Sequence, residues 1–476
     1  MKGYLFLCSA PLPALFLSCV SKAVLSKPEL ALTDTAYRLP VSDYIAPDTA
    51  TIGALAWRDF YDDVHLRMLI NEALQSSTRM QTALYRIEQA EETARVSMEQ
   101  FFPSLDFAAE IRLRKDLNRA RSDVYHGLFY YNWEIDVWGR LRHTRRAKIK
   151  RLEQSVINRW GVQSMLIAQV AEQYYKLVVY RAKRDALKET VTRNKEVVEY
   201  WQSQQSEMLT ITELSSHSYH EQSVAVEQAK SEWYSADAKL SSVEAEIFIA
   251  ENLLNTLLNR SSGELTLTSI EELYASPVFR DTLQVGCPAQ LLRYRPDVMK
   301  AEAALGEYLE LNKAARAEFY PKLKLSGNIG FENNLFKSWF DVPASFVGSF
   351  LGGLTFPLFH RRAIRSQYKL STLDHEIAFL NFRETLLNAQ CEVSNTLMRC
   401  TMSMRQTESY YLSYLAERSA YEQSRTLLDK NKISSYDFVL SQNRYINAQI
   451  SFYDSLLNTL LQRVAVYRSL GGGWQN

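Results

Sequence analysis

Two stretches of this chain contain neither proline nor glycine: Val162 to Ser262, and Leu358 to Leu470. Each runs past a hundred residues, against an ordinary helix of about 10–14. Nothing inside them removes a backbone donor or favours a left-handed turn, so long helices are the default. At 1.5 Å per residue, half of such a block makes a helix on the order of 75 Å. The chain is therefore either very extended or folded back at turns made without glycine. Its 16 Gly and 12 Pro in 476 residues are about half the usual shares. Glycine clusters only at Gly348–Gly353 and Gly471–Gly473.

Charge is balanced. The 55 Lys+Arg against 54 Asp+Glu exclude a polybasic nucleic-acid binder and an acidic tail as global classes. A composition 46% apolar and 23% charged excludes general disorder. Met1–Ser18 reads as a signal peptide, with Lys2 ahead of an apolar Leu5–Leu17 that Pro11 and Pro13 interrupt. That segment is too short and broken to span a bilayer. Ser18 before Cys19 fits cleavage and acylation at Cys19, with Phe16 where such boxes usually carry Leu. An ordinary signal with a passenger cysteine is the alternative. No other window offers about 18 uncharged apolar residues, so helical membrane spans are excluded. Cys287, Cys391 and Cys400 remain, without a CxxC. Cys391 and Cys400, nine apart on an expected helix, lie on different turns and are not expected to bridge.

An internal repeat organises the rest. Gln100-Phe101-Phe102-Pro103-Ser104-Leu105 returns 218 residues later as Glu318-Phe319-Tyr320-Pro321-Lys322-Leu323. Trp138-Gly139-Arg140-Leu141-Arg142 has a weaker echo in Phe359-His360-Arg361-Arg362. After each proline the apolar period switches from helix to strand. Leu105, Phe107, Ala109, Ile111 and Leu113 alternate with polar neighbours, as do Tyr131, Trp133, Ile135 and Val137. Leu323, Leu325, Ile329 and Phe331 form a third set, and Phe346, Phe350, Leu354 and Phe356 a looser fourth. Alternation over about ten residues with aromatic ends is the signature of a transmembrane β-strand. Four such strands behind a signal peptide favour that reading over a soluble two-faced sheet. Strands are expected at 104–114, 128–138, 322–331 and 346–356. They lie in two repeats, 57–270 and 271–476, after the signal 1–18 and an extended segment 19–56.

Four strands cannot close a barrel, whose smallest form has about eight. An open edge in lipid leaves backbone groups unpaired at several kcal/mol each. Several copies must therefore assemble. The helices carry matching seams: Trp233, Ala236, Leu240, Val243, Ile247, Ala250, Leu254 and Leu257 step by alternating threes and fours. Ile446, Ile450, Tyr453, Leu457, Leu460, Val464 and Tyr467 do the same. A 3.5-residue period keeps one face on a partner and imposes a left-handed supercoil. An antiparallel bundle would use the same seam; the strands at the helix ends argue for a tube.

At this point Leu291-Leu292-Arg293-Tyr294-Arg295-Pro296-Asp297-Val298, followed by Ala301-Glu302 and Leu305, resembles the signature of the outer-membrane factor family. Trp133–Arg142 is similar to that family's strand-to-helix junction, and Tyr467–Trp474 to its C-terminal end. Trp57-Arg58-Asp59-Phe60-Tyr61 with Leu66, Leu69, Ile70, Ala73 and Leu74 looks like its first helix. The resemblance implies an α+β membrane protein forming a homotrimer. Its twelve strands would make one β-barrel in the outer membrane of a Gram-negative-type bacterium, continued into the periplasm by an α-helical coiled-coil barrel. It further implies an exit channel for small molecules such as drugs, working with a periplasmic adaptor protein and an inner-membrane transporter. A type I protein-secretion duct and a non-conducting coiled-coil envelope protein are the alternatives. No enzyme activity, cofactor or nucleic acid enters the reading.

The resemblance also places a gate at the helical hairpin tips. The candidates are Glu213 from the first hairpin and Asp429, Lys430, Lys432, Tyr436 and Asp437 from the second. Leu440 falls where related proteins often carry a gate aspartate, and the tip glycines are replaced near Glu207 and Asn431. A solvated turn explains the same charges. Arg140, Arg142, Arg145, Arg146, Lys148, Lys150 and Arg151 crowd seven cations into twelve residues, echoed by Arg361, Arg362, Arg365 and Lys369. Basic residues at a strand-to-helix border fit snorkelling to lipid phosphates, a reading preferred to a nucleic-acid patch. His217-x-x-His220 could hold a metal, but no third ligand is spaced nearby, and a solvated helix face is the expectation. No phosphate loop, GxSxG, HExxH or dinucleotide fingerprint occurs.

Overall fold

A computed structural model describes residues 45–46, 52–114, 122–208, 216–263, 265–280, 283–284, 291–355, 362–430 and 432–475. The expected first helix is split: a single turn at Trp57–Phe60 ends at Tyr61 in extended conformation, and helix α1 (Val64–Ser76) follows, with Asp63 capping it by accepting the N–H groups of His65 and Leu66. In each half a 22-residue helix then leads into two strands. These are α2 (Thr78–Glu99) before β1 (Ser104–Arg114) and β2 (Ser122–Ile135). In the second half α5 (Pro296–Ala317) precedes β3 (Lys322–Asn333) and β4 (Phe346–Thr355). Each strand pair leads into a long helix and its return: α3 (Arg140–Met208) with α4 (Ser216–Leu257), and α6 (Ala363–Asp429) with α7 (Ser435–Ser469). The 69 residues of α3 and 67 of α6 make helices on the order of 100 Å. The two proline- and glycine-free blocks supply most of both hairpins.

The four strands form one antiparallel sheet in the order β1-β2-β3-β4, so the halves join between β2 and β3. The second strand differs from the expected 128–138. It starts earlier, at Ser122, because its ladder with β1 continues through His126 and Gly127, where the sequence alternation lapses. It stops at Ile135 because Asp136 turns to accept the N–H groups of Leu141 and Arg142 at 3.0 and 2.9 Å, starting α3. β3 runs on to Asn333, and β4 ends at Thr355. Glu207 lies inside α3 and is not a turn residue. Cys19, Glu213, Arg361 and Asn431 fall outside the described residues.

The main core lies where α3 meets α1 and α7. Leu166, Val170, Tyr174 and Leu177 of α3 are fully buried with Leu66 and Ile70 of α1 and Leu456, Leu460 and Val464 of α7. The expected seams appear: Ala236, Val243, Ile247, Ala250 and Leu254 are buried on α4, and Ile446, Tyr453, Leu457, Leu460, Val464 and Tyr467 on α7. Another stripe is open. Leu370, Leu373, Ile377, Leu380 and Leu387 follow a heptad-like spacing on α6 yet are 48–57% exposed. Cys400 is buried, Cys391 exposed, and neither is bridged. No helix among the described residues is long and apolar enough to cross a membrane.

Candidate functional site

The register sorts the sheet into two faces, because directly paired residues on antiparallel strands point the same way. Phe107 pairs with Phe129, Phe129 with Ile329, and Ile329 with Gly348. Leu105, Tyr131, Gly327 and Phe350 make a parallel row on the same face. The opposite face carries Asp106 with Tyr130 and Asn328, and Glu110 with His126 and Glu332. One face is thus apolar across all four strands, and the other is mainly polar, interrupted by the row Ala108, Leu128, Gly330 and Val347 and by Leu351. The apolar face is also open: Leu105 is 67% exposed and Phe350 73%. Gly327 has no Cβ where the Tyr131 ring lies, within 2.5 Å of the place one would occupy.

Indole groups fasten the strands to the helices. Trp133 donates its Nε1–H to the Phe101 carbonyl and Trp138 to the Pro321 carbonyl, both at 2.8 Å. The repeated motif is therefore gripped once in each half, with Tyr320 stacked on Trp138 at 4.9 Å. An amphipathic ring that is apolar on one side and bonded on the other suits a membrane border.

The candidate border cations divide into two groups. Arg140 donates to Glu134 at 3.0 and 2.8 Å and lies 3.6 Å from Glu318. Arg142 pairs with Asp136 at 3.2 Å. Arg145 is half-buried, whereas Arg362 and Arg365 are exposed just beyond β4. Arg140 and Arg142 thus spend their charge on the junction itself, a use that spacing alone did not reveal.

At the far end of the hairpins, Lys430 and Lys432 are exposed, and Leu440 is 37% exposed. Asp429 closes α6 and Tyr436 lies in the first turn of α7. Asp437 is exposed but locally employed. Its N–H reaches the Ser434 hydroxyl at 3.1 Å, and that hydroxyl donates to its carboxylate at 2.7 Å. This reciprocal cap follows the Ser-x-x-acid pattern, which sequence inspection for gate charges passed over. His217 and His220 fall in the first turns of α4. Among the described residues no cluster of metal-capable side chains occurs.

The residues that carried the family resemblance meet in a clasp. Arg295, at the entry of α5, donates to Asp297 at 2.9 Å, to Glu392 of α6 at 2.7 Å, and to the Ser469 carbonyl at the end of α7 at 2.9 Å. Burial works against the charge of Asp297, but the Arg295 guanidinium outweighs it and holds the carboxyl below the usual carboxylate value. Gly471 follows at φ +89, where a Cβ would stand 2.3 Å from the Tyr294 carbonyl. Trp474 donates to that carbonyl at 2.9 Å and stacks on Trp160 of α3 at 4.4 Å. The signature thus ties α3, α5, α6 and α7 to the C-terminal segment.

The family model described as "Outer membrane efflux protein" matches residues 69–207 and 287–472. The chain belongs to the outer membrane efflux protein family. Cation efflux system protein CusC of Escherichia coli O6:H1 is 24% identical over 427 residues, covering 88% of each chain. The probable outer membrane lipoprotein SilC of Salmonella typhimurium is 22% identical over 422 residues, again covering 88% of each. The fold matches the open state of the Neisseria gonorrhoeae MtrE outer membrane channel with a TM-score of 0.80 at 20% identity, covering 92% and 97% of the two chains. As an outer membrane efflux protein, this chain places its two-faced sheet in the outer membrane.

Proposed function

We propose that three copies close their sheets into one twelve-stranded barrel, polar face inward, and that the helices continue it as the exit duct of a tripartite efflux pump. One observation carries this: a four-stranded sheet with an open apolar face, whose outer strands β1 and β4 have no further strand partner among the described residues. In lipid those edges must be closed. Two copies would give eight strands, whose interior is just filled by side chains. Three copies give the next closed set and leave room for a water-filled, polar lumen. The open stripe on α6 supplies a matching seam for a neighbouring copy.

In this reading the chain is a conduit and not a catalyst, and it needs no cofactor. A periplasmic adaptor and an inner-membrane transporter deliver small molecules to it. Cleavage before Cys19 and acylation there tether the chain. Arg362 and Arg365 face lipid phosphates at the border. The hairpin tips, with Lys430, Lys432, Tyr436, Asp437 and Leu440, repeat around one axis and close the periplasmic end. Native mass in detergent should be about three times that of the mature acylated chain, and the purified species should conduct ions in a planar bilayer. A monodisperse monomer that conducts would overturn the assembly. Asp437→Ala should raise conductance at unchanged trimer yield; unchanged conductance would place the constriction elsewhere.

A further inference from the structure

Between α2 and α3 lies a recess of about 510 Å³ lined by Arg86, Lys148 and Arg151, with Gln89, Thr93 and Ser155 beside them. No carboxylate lines it. Several neighbouring cations on α3 are neutralised, among them Arg140 by Glu134 and Lys150 by Glu153 at 2.6 Å. Arg86, Lys148 and Arg151 make no ion pair among the described residues. Three like charges held in one recess without a counter-charge repel one another, unless an anion joins them.

The side of the molecule on which this recess opens can be read from the one above it. A second recess of about 890 Å³ lies at the junction, lined by Val96 and Gln100 of α2 and Leu141 of α3. Of the sheet residues that line it, Ser104, Asn132, Glu134, Lys324 and Ser326 come from the polar face and only Trp133 and Leu325 from the apolar one. Gln89 precedes Val96 by one heptad, Thr93 precedes Gln100 by one, and Lys148 follows Leu141 by one. A seven-residue step returns to nearly the same helix face. The basic recess is therefore the junction recess moved two turns along the same α2–α3 groove, on the side of the sheet's polar face.

We propose that the recess is an anion-selecting ring of the duct, taking small solutes that carry a carboxylate, phosphate or sulfate group. This rests on the duct reading: if the polar face is luminal, so is the recess, and three copies place nine cations around one cross-section. A ring of Arg and Lys favours anions in a pore. Lipid headgroups are too far away to be its ligand. Lys148 and Arg151 stand eight and eleven residues into α3, about 12–17 Å beyond the strand ends, whereas a headgroup layer is about 5–8 Å thick.

The test is the reversal potential of purified trimers in a planar bilayer under a KCl gradient, which gives the chloride-to-potassium permeability ratio. In the triple variant Arg86→Gln, Lys148→Gln, Arg151→Gln the ratio should fall by about half or more, and the effect should fade between 0.1 and 1 M salt as screening shortens from about 10 to 3 Å. Arg146→Gln removes an exposed cation about 160° round α3 from Lys148 and should leave the ratio unchanged. An unchanged ratio in the triple variant, with wild-type native mass and conductance, would overturn the ring and leave the duct standing. An equal fall with Arg146→Gln would overturn it as well, since the effect would then follow net charge and not the recess. Failure of the wild-type chain to form conducting trimers would overturn the duct reading and the ring together.

Discussion

The two halves of the chain run through the same elements in the same order, yet each fastens a different helix start. In the first half the long helix α3 is held, because Asp136 accepts two of its N–H groups. Its counterpart α6 starts behind Arg362, in the left-handed region at φ 66 and without a side-chain cap. For the shorter helices the roles reverse. α5 is entered through the Arg295 clasp, whereas Ser77 ahead of α2 makes no side-chain cap. The shared plan follows from the sheet register and the helix seams, which involve many residues at once. A cap is worth only about 1 kcal/mol, so each half can place its fastening differently.

The comparison can be broken most severely at the clasp. Arg295→Ala removes a buried guanidinium from two carboxylates and a carbonyl, and should cost about 3 kcal/mol in urea unfolding of the detergent-solubilised protein. The low end of the range applies because Asp297 and Glu392 stay partly exposed; a loss below about 1 kcal/mol would mean the clasp does not hold α5. The same clasp has a pH signature. The Asp297 pKa is depressed in the folded state, so its contribution is full above an unfolded value of about 3.9 and disappears as pH falls through the folded one. The stability gap between wild type and Asp297→Asn should therefore narrow below about pH 4, and a gap independent of pH would contradict the ion pair.

Asp136→Ala should cost about 1–2 kcal/mol, against a negligible change for Ser77→Ala, which has no cap bond to lose. Equal effects would erase the contrast between α3 and α2. The smallest change should be a gain: Arg362→Gly relieves a left-handed residue and should stabilise by up to about 1 kcal/mol. A loss there would show that the contact proposed for the Arg362 side chain with lipid phosphates outweighs the strain of its backbone.

The same contrast explains how much of the structure could be read beforehand. Long helices, seams and strands are periodic, so the spacing of Leu105, Phe107 and Ile111 alone declares their face. Boundaries are set by single side chains. Val137 continues the alternation of β2 in sequence, yet Asp136 has already turned the chain into α3. The candidate site was harder still. Arg140 and Arg142 stand in a conspicuous basic run, but their partners Glu134 and Asp136 sit six residues earlier in each case. Arg86, seven residues from Arg79 and nine from Arg95 on α2, belongs with Lys148 and Arg151 only because two helices far apart in sequence lie side by side. No local pattern marks it.

The open stripe on α6 carries a consequence for the life of the chain. Leu370, Leu373, Ile377, Leu380 and Leu387 present to water what a core would bury. A lone copy is then poised between finding its own kind and sticking to anything else apolar. If only the assembled form hides that stripe, mass action makes durability depend on how many copies share the compartment. Dilute chains would be prey to proteases and aggregation, and crowded ones secure. Abundance would then act on this protein as temperature acts on others.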